Sequence, residues 1–281
     1  MSVWFVNGEE IDAIPADDRG LQYGDGLFET VAIRNGQPRF WELHMERLHT
    51  GCARLRIPPP AERSLYLEMQ SAIAASDFDT NSGLAKIIVS TGSGPRGYQR
   101  PDELRPVIRI GLFESVLPAG DDYREGVAVL LCQTRLANQP QLAGIKSLNR
   151  LEQVLARTEW SKPAIAEGLM LDTDDRLICG TMSNVFIRVA GNIATPALTR
   201  CGVSGVMRRH IIAMLARQGV DCDVRDIPLE ELYAADEVFL TNSQFGVLPV
   251  RQVAAREFAV GATTRHVMQL AAGSGVNECS L

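Results

Sequence analysis

The sequence predicts a protein of two mixed α/β or α+β domains. Its 281 residues exceed what a single core usually fills. Strand-like and helix-like segments alternate only in part, and hairpin signals are common. Residues 116–121 combine proline, glycine and charge without periodicity, which is typical of a linker. We therefore expect a smaller N-terminal domain over residues 1–115 and a larger C-terminal domain over residues 122–281.

The N-terminal half begins with strands and continues with helices. Residues 3–6 lead into Asn7-Gly8, and residues 27–35 lead into Asn35-Gly36; both dipeptides are typical of hairpin turns. Apolar residues at helical spacing predict one helix from near Trp41 and another after the prolines at 58–60. Two runs rich in Ile and Val predict further strands, at residues 84–90 and 107–113.

In the C-terminal half, apolar runs and helical stripes predict further strands and helices. Strands are expected at residues 127–132, 168–171, 177–179, 185–189, 220–226 and 237–241, and helices at residues 149–159, 206–217 and 229–233. The chain ends with the small and polar residues GSGVNECSL, which predict a disordered tail.

Composition argues against several classes of protein. The net charge is −6, so a phosphate backbone should be repelled and nucleic-acid binding is not expected. Six cysteines without a C-x-x-C pair and four unclustered histidines predict neither a disulfide framework nor a metal site. No apolar segment approaches the roughly 20 residues of a membrane span, and the N-terminus lacks a signal-peptide pattern. We therefore expect a cytoplasmic protein without a membrane partner.

The segment with the clearest chemistry is LAGIKSLNRLEQVLART, residues 142–158. Lys146 follows an apolar isoleucine and precedes a predicted helix. A lysine that is half shielded from water has its ammonium form disfavoured, and a neutral amine can attack an aldehyde. The alternative is a solvated lysine beside a helix start, which position alone favours because most lysines lie on the surface.

Seven segments together resemble the aminodeoxychorismate lyases. These are fold-type IV pyridoxal-phosphate enzymes, related to branched-chain and D-amino-acid aminotransferases. The segments follow the family's order along nearly the whole chain: YGDGLFET (23–30), HMERL (44–48), GSGPRGY (92–98), LAGIKSLNRLEQVL (142–155), GTMSNVFI (180–187), GVSGVMRR (202–209) and TNSQFGVLPV (241–250). Any one segment is weak, whereas their joint order is specific.

The resemblance implies a two-domain fold-type IV architecture in which the C-terminal domain carries pyridoxal 5'-phosphate on Lys146. It implies conversion of a small-molecule substrate, 4-amino-4-deoxychorismate, to 4-aminobenzoate and pyruvate on the route to folate. Lys146 would also remove the C4 proton of the substrate. Members of the family are homodimers, so a homodimer is expected here too, although composition does not indicate one.

The cofactor phosphate requires positive charge and N–H donors. The guanidinium of Arg47 can grip a phosphate through two hydrogen bonds; a surface arginine is the alternative. Ser204 is a candidate N-cap for a helix whose N-terminus would present N–H groups to the phosphate. The resemblance places Val203 and Ser204 against the phosphate and Thr241 and Asn242 opposite them. An ordinary capped helix and an ordinary turn are the alternatives at these two places.

The sequence departs from the family at the ring nitrogen of the cofactor. The family usually places a glutamate there, which keeps the nitrogen protonated so that the ring withdraws electrons from a carbanion. Alignment on residues 183–186 puts Cys179 at this position, and the nearest acids are Asp172, Asp174 and Asp175. Either an aspartate reaches the nitrogen or the nitrogen lacks a charged partner. We hypothesise that a weaker electron sink suffices, because loss of the C4 proton and pyruvate creates an aromatic ring.

Three residues are candidates for contact with the substrate. The resemblance implies that Thr30 assists proton transfer near the leaving group, as a hydroxyl can; a β-branched strand residue is the alternative. Glu29, its neighbour, is expected on the opposite face of that strand. The substrate carries two carboxylates, and the resemblance makes Arg96 the candidate partner of one of them and Tyr98 a candidate ring or hydroxyl contact. An exposed loop arginine is the alternative for Arg96.

Two rival functions remain open. An aminotransferase for D-amino or branched-chain acids would share the fold and the lysine, but NRLEQ at 149–153 matches the lyases better and the missing glutamate argues against it. A catalytically inactive relative that still binds the cofactor is the other rival. The presence of Lys146, Arg47 and Thr30 argues against inactivity.

Overall fold

The computed structural model describes residues 3–11, 13–76 and 81–280. Contacts within the chain divide it into two compact units, Met1–Val116 with Ile145–Asn149, and Leu117–Gly144 with Arg150–Leu281. The predicted linker at 116–121 begins at this division. The lysine segment belongs by its contacts to the first unit, whereas the sequence analysis placed it in the C-terminal domain. The boundaries of independently folding domains stay a prediction.

The first unit is a six-stranded antiparallel sheet in the order β2-β1-β6-β5-β3-β4. Its elements are β1 (Val3–Val6), β2 (Glu9–Glu10), α1 (Arg19–Tyr23), β3 (Gly26–Arg34), β4 (Gln37–Pro38), α2 (Trp41–Leu55), α3 (Glu62–Ala75), β5 (Gly83–Ser90) and β6 (Val107–Glu114). Both predicted hairpin turns form, since Asn7-Gly8 and Asn35-Gly36 adopt the positive φ values that such turns require.

Alternation along β3 separates core residues from site residues. Leu27, Val31 and Ile33 are buried, and α2 packs on this strand. Phe28 and Thr30 lie between these positions and therefore face the other side of the sheet, because side chains alternate along a strand. One face of β3 thus packs on α2, and Phe28 and Thr30 lie on the other face.

The second unit is built on a mixed nine-stranded sheet in the order β12-β11-β10-β13-β14-β7-β8-β9, with β15 paired to β14. Strand β7 is parallel to both β14 and β8. Its elements are α4 (Gly120–Glu125), β7 (Val127–Leu131), α5 (Leu151–Arg157), β8 (Ile165–Leu171), β9 (Leu177–Gly180), β10 (Asn184–Val189), β11 (Asn192–Pro196), α6 (Val206–Arg217), β12 (Cys222–Arg225), α7 (Leu229–Ala234), β13 (Glu237–Asn242), β14 (Gly246–Val253), β15 (Arg256–Glu257), α8 (Ala262–Gly273) and a 3₁₀ helix (Asn277–Cys279). The two mixed assemblies confirm the predicted α+β class.

The prediction of a disordered tail is wrong for residues 273–280. Val276 and Cys279 are buried, and the thiol of Cys279 accepts a hydrogen bond from Val247 N at 3.2 Å. These side chains pack where Gly246 leaves room, since a Cβ on that glycine would lie 2.4 Å from Val276. Two buried side chains therefore order a segment whose composition alone suggested disorder.

No helix in the described part of the chain combines the length and apolar character that a membrane span needs.

Candidate active site

The Lys146 segment is an extended strip hydrogen-bonded to the start of β3. Phe28 N donates to Lys146 O at 2.9 Å, and Leu148 N donates to Gly26 O at 3.0 Å. Ser147, between them, forms an antiparallel bridge with Leu27 and is buried. The expected helix therefore starts later, at Leu151. These two hydrogen bonds fix the backbone from Lys146 to Leu148 against β3.

The amine of Lys146 lies over the aromatic ring of Phe28. Its Nζ is 4.1 Å from the ring centroid, and the Nζ of Lys86 is 5.5 Å from the same centroid. Lys86 is the register partner of Thr30 across β3 and β5. Lys146, Thr30 and Lys86 therefore lie on the Phe28 face of the sheet. An ammonium is attracted to a ring face, so this face accommodates two lysine amines.

The sequence analysis missed Lys86. The signal was present, because Lys86 interrupts an alternating strand whose odd positions Ala85, Ile87 and Val89 are buried. A lysine opposite such a stripe must lie on the other face of the sheet.

On the core side of β3, Glu29 binds two residues of α2. Its carboxylate accepts from Arg47 Nε at 2.8 Å and also from Arg47 Nη2. The same carboxylate lies 2.6 Å from His44 Nδ1. All three side chains are buried. Glu29 thus lies on the face opposite Thr30, as the alternation predicts, and Arg47 is a buried arginine whose guanidinium is oriented by a carboxylate.

Charge in this triad of Glu29, His44 and Arg47 is balanced. Burial alone would raise the pKa of Glu29, but the positive charge of Arg47 and hydrogen bonds from Arg47 and His44 lower it to about 2. Burial lowers the pKa of His44; the charges of Arg47 and Lys146 also lower it, and Glu29 opposes them. The neutral imidazole donates from Nδ1 to the carboxylate, and its buried Nε2 has no hydrogen-bond partner within the described residues.

In the second unit, Asn184 links β10 to the start of α6. Its Nδ2 donates to Val203 O at 2.9 Å, and a Cβ on Gly205 would lie 1.9 Å from its Oδ1. The N-cap of α6 is Gly205, so the expected N-cap at Ser204 is wrong by one residue, and the capping residue has no side chain to offer. The Ser204 N–H instead donates to Gly144 O at 2.9 Å.

Thr241 lies beside Asn184, its register partner on β13. The Thr241 side chain is 1% exposed, and its Oγ1 has no hydrogen-bond partner among the residues that the structure describes. A buried hydroxyl without a partner is costly unless a ligand satisfies it. An uncapped helix N-terminus also favours an anion. The residues present in this unit therefore fit a phosphate group.

Asn242, the next residue, has its side-chain oxygen engaged in its own turn. Its Oδ1 accepts from Gln244 N and Phe245 N, both at 2.9 Å. This is the turn-forming arrangement that the sequence analysis kept as its alternative.

Cys179 is buried in an apolar cluster with Cys132, Leu136, Trp160 and other side chains. Burial, with smaller contributions from Cys201 and Glu167, raises the pKa of the Cys179 thiol well above its ordinary value, although Arg150 opposes this. The thiol is therefore neutral at physiological pH.

The three aspartates near Cys179 in sequence are engaged elsewhere. Asp172 accepts from Arg176 Nε at 2.9 Å, Asp174 is paired with the same arginine, and Asp175 with Arg135. All three carboxylates therefore serve the turn between β8 and β9 and its neighbours, which disfavours the alternative in which an aspartate reaches the ring nitrogen.

Glu167 on β8, which was not among the residues predicted from the sequence, binds the segment between β9 and β10. It accepts from Gly168 N at 2.9 Å, Thr181 N at 3.1 Å, Met182 N at 3.2 Å and Ser183 Oγ at 2.9 Å. It also accepts from the Thr181 hydroxyl. These hydrogen bonds fix residues 180–183, which connect Cys179 to Asn184. The signal in the sequence was a carboxylate inside the apolar strand IAEGLML.

The remaining two candidates, Arg96 and Tyr98, lie in the loop between β5 and β6, and both are exposed. The described residues contain no group of three or more His, Cys, Asp or Glu side chains arranged to hold a metal ion.

Comparison with known proteins assigns the family. The model of the amino-transferase class IV family matches residues 26–253. The chain belongs to this family. Among class IV relatives, it is 37% identical to an aminodeoxychorismate lyase of Vibrio harveyi, over 94% of this chain and 98% of the relative.

Two solved structures extend the comparison. The chain is 45% identical to a 4-amino-4-deoxychorismate lyase from Pseudomonas aeruginosa, with a TM-score of 0.89, covering 96% of this chain and 98% of that one. A branched-chain amino acid aminotransferase from Escherichia coli is 23% identical, with a TM-score of 0.83 over 95% of this chain and 92% of that one, and shows the shared fold. These class IV relatives confirm the predicted relationship and the fold-type IV architecture. The fold-type IV enzymes use pyridoxal phosphate, which confirms the predicted cofactor.

Proposed function

We propose that this protein is a lyase that converts 4-amino-4-deoxychorismate to 4-aminobenzoate and pyruvate. The observation that carries the proposal is the amine of Lys146, fixed over Phe28 on the face that also bears Thr30. The similarity of the chain to the two lyases over nearly its full length supports the choice of reaction.

The cofactor-binding residues predicted from the sequence are proposed to hold pyridoxal phosphate. Lys146 would bond its aldehyde carbon, and Arg47 would contact its phosphate with a guanidinium already oriented by Glu29. The Val203–Ser204 segment, the N-terminus of α6, Thr241 and Asn242 are the further predicted partners of the phosphate. When bound, the cofactor supplies a ring that draws electrons from the carbon bearing the substrate nitrogen.

Two side chains on the Phe28 face are proposed to move protons. The Nζ of Lys146, when neutral, takes the proton from C4 of the substrate. The C3–O bond then breaks, its electrons leave with the enolpyruvyl group, and the ring becomes aromatic. The Thr30 hydroxyl helps to deliver a proton to the enolpyruvyl carbon, which yields pyruvate. A hydroxyl can relay this proton without acquiring a stable charge.

Cationic side chains are proposed to bind the two substrate carboxylates. Arg96 is the predicted partner of one, and its guanidinium can bind a carboxylate through two hydrogen bonds. Lys86 is a second candidate, because its Nζ shares the Phe28 ring with Lys146. Tyr98 would contribute a ring or hydroxyl contact.

At the ring nitrogen, Cys179 is proposed to replace the family's glutamate as a neutral group. Its buried thiol cannot keep that nitrogen protonated as a carboxylate does. We propose that aromatisation of the product compensates for the weaker electron sink. A transaminase gains no aromatic ring, so this residue favours the lyase over the aminotransferase.

The protein is further proposed to be a cytoplasmic homodimer. Helix α5 carries three largely exposed apolar residues, Leu151, Val154 and Leu155, and the nearby turn adds exposed Met182. A group of exposed apolar side chains is typical of an interface between subunits.

The function is tested by supplying holoenzyme with 4-amino-4-deoxychorismate and measuring 4-aminobenzoate and pyruvate. Equal amounts of both products are expected, and Lys146→Ala should lower the rate by at least about a thousandfold, because it removes both the cofactor bond and the base. If the holoenzyme makes neither product, the proposal is contradicted and the protein is better described as a catalytically inactive relative that binds the cofactor. Conversion of the cofactor to its amine form by an amino acid alone would favour an aminotransferase.

A further inference from the structure

Arg19 lies beneath the loop that carries Arg96 and Tyr98. Its side chain is 3% exposed, and it binds three consecutive carbonyl oxygens of that loop. Its Nη1 donates to Gly97 O at 2.9 Å and Gln99 O at 3.3 Å, and its Nη2 donates to Tyr98 O at 3.1 Å. One guanidinium thus fixes the backbone of residues 97–99, directly after Arg96.

Asp25 holds Arg19 in place. It accepts from Arg19 Nε at 3.0 Å, from Thr91 Oγ1 at 3.0 Å and from Arg100 Nε at 3.0 Å. Burial alone would raise the pKa of Asp25, but the hydrogen bonds from Arg100, Arg19 and Thr91 outweigh it, so the pKa lies below its ordinary value. The carboxylate is therefore charged, and it joins Arg19, the first residue of α1, to Arg100 at the end of the loop.

Tyr23 supports the same stretch of backbone. Its hydroxyl accepts from Gly97 N at 3.0 Å, and the guanidinium carbon of Arg19 lies 5.0 Å from its ring centroid. Gly94 lets the loop approach Arg19 closely, since a Cβ there would lie 2.9 Å from Arg19 Cδ. Arg19 and Tyr23 therefore hold the loop from below through its main chain.

The side chains at the loop tip are exposed, although the Tyr98 ring also meets the Tyr23 ring edge-on, with centroids 5.5 Å apart. Tyr98 is 87% exposed, and Arg96 is exposed as well. A loop whose tip residues are exposed would sample many conformations unless its backbone were fixed. Binding an anion would then cost the entropy of ordering it. The contacts of Arg19 remove that cost in advance.

We propose that Arg19 is a positioning residue for substrate binding: it fixes residues 97–99 so that Arg96 and Tyr98 meet the substrate in a preformed loop. This inference rests on the proposed function, which assigns Arg96 to a substrate carboxylate.

The test compares the wild-type holoenzyme with Arg19→Gln by kinetics and by limited proteolysis. We expect KM for 4-amino-4-deoxychorismate to rise about tenfold while kcat changes by less than about threefold, because the loop must be ordered on binding. Trypsin should cleave faster after Arg96, yielding residues 1–96 and 97–281. Arg100 and Arg105 each precede a proline and resist trypsin. Cleavage after Arg96 therefore reports the accessibility of the loop between β5 and β6. Arg105→Gln, which removes an exposed arginine paired only with exposed Glu103, is the control and should leave KM and cleavage unchanged.

Two further variants separate positioning from general stability. Arg19→Lys keeps a charge beside Asp25 but cannot reach three carbonyls, so its KM should stay raised; full recovery of KM would overturn the proposal. If Arg19→Gln does not fold, Tyr23→Phe removes only the hydroxyl that accepts from Gly97. It should raise KM about threefold and speed the Arg96 cut, because one main-chain anchor of the loop is lost.

Unchanged KM in Arg19→Gln, with or without faster cleavage, would overturn the proposal. Failure of the proposed function is distinguishable, because the wild-type holoenzyme would then form no 4-aminobenzoate. An Arg96→Ala variant with wild-type KM would likewise overturn the positioning role, since the loop would not bind substrate.

Discussion

At the residue scale, replacing the Thr241 hydroxyl should weaken cofactor binding without destabilising the cofactor-free protein. Thr241→Val should weaken cofactor binding about tenfold, since a hydrogen bond to a charged phosphate contributes about 1.5–3 kcal/mol. The same change should leave the cofactor-free protein as stable or more stable, because a buried hydroxyl without a described partner is removed. Cofactor titration and urea unfolding of the apoprotein measure the two effects.

Thr195→Val is the matched control for Thr241. The Thr195 hydroxyl is also buried, but it donates to Val185 O at 2.9 Å and accepts from Arg208 Nε at 3.1 Å. Its loss should destabilise the apoprotein by about 1–3 kcal/mol, because both partners are left unsatisfied. Equal destabilisation by the two valine variants would contradict a phosphate role for Thr241.

Cys179 stands where the resemblance to the family leads us to expect a glutamate. Cys179→Glu should lower the lyase rate at least about tenfold, because the new carboxylate would be buried among apolar side chains. Transamination should stay absent. The rate of 4-aminobenzoate formation and the cofactor spectrum with amino acids measure both effects. A large gain in lyase rate would mean that the natural thiol impairs the site.

Glu29 makes stability depend on acidity in a defined direction. Its pKa falls from 4.5 to about 2 on folding, so its contribution is complete above pH 4.5 and is lost as the pH falls towards about 2. Glu29→Gln should lose about 3–5 kcal/mol at neutral pH, because Arg47 is left buried without its counter-charge. The stability gap between wild type and variant, measured by urea unfolding, should narrow below pH 4.5. A gap independent of pH would contradict this account.

At the scale of elements, the start of α6 depends on the absence of a side chain at Gly205. Gly205→Ala should destabilise the protein by about 1–3 kcal/mol and weaken cofactor binding, because the new methyl would collide with Asn184. Gly273→Ala is the control, since a Cβ there meets nothing within 4 Å and alanine favours a helix. Thermal unfolding with and without cofactor distinguishes them. Equal behaviour of the two variants would argue against the steric constraint.

Local patterns predicted most individual elements, because they need only nearby residues. The two hairpin turns, β3, β5, β6, α2 and α6 formed close to their expected positions. What failed depended on distant partners. The C-terminal 3₁₀ helix is ordered by Gly246, and residues 149–150 are not helical because the preceding strip pairs with β3. The strand order of the second unit, with β7 parallel to two neighbours, likewise has no local signal.

The candidate site shows the same division. Lys146, Thr30 and Arg47 could be chosen from sequence because their segments resemble a family. Lys86 and Glu167 each stand out as a charged residue in an apolar strand. That local signal does not say what they contact, because their partners are a neighbouring strand and a turn that is distant in sequence. The hydrogen bond between Arg176 and Asp172 could not be predicted either, because it depends on the conformation of the turn between them.

At the scale of the whole molecule, the exposed apolar face of α5 predicts self-association. The wild-type protein should sediment at twice its chain mass of 30.7 kDa, and Leu151→Glu combined with Leu155→Glu should sediment as the monomer. The control is Leu67→Glu on α3, where another leucine is largely exposed, and it should leave the mass unchanged. A double variant that keeps the wild-type mass would place any interface elsewhere.

The alternation of β3 constrains how the gene can vary in length. Adding or deleting one codon between Gly26 and Thr30 would exchange the two sides of the strand, so the buried Glu29 carboxylate and the Thr30 hydroxyl that we propose relays a proton would exchange faces. Insertions or deletions of one residue in this part of β3 should therefore be rare among related sequences. Extra codons should accumulate at the hairpin tips Asn7-Gly8 and Asn35-Gly36, where a Cβ on either glycine would meet no described atom within 4 Å.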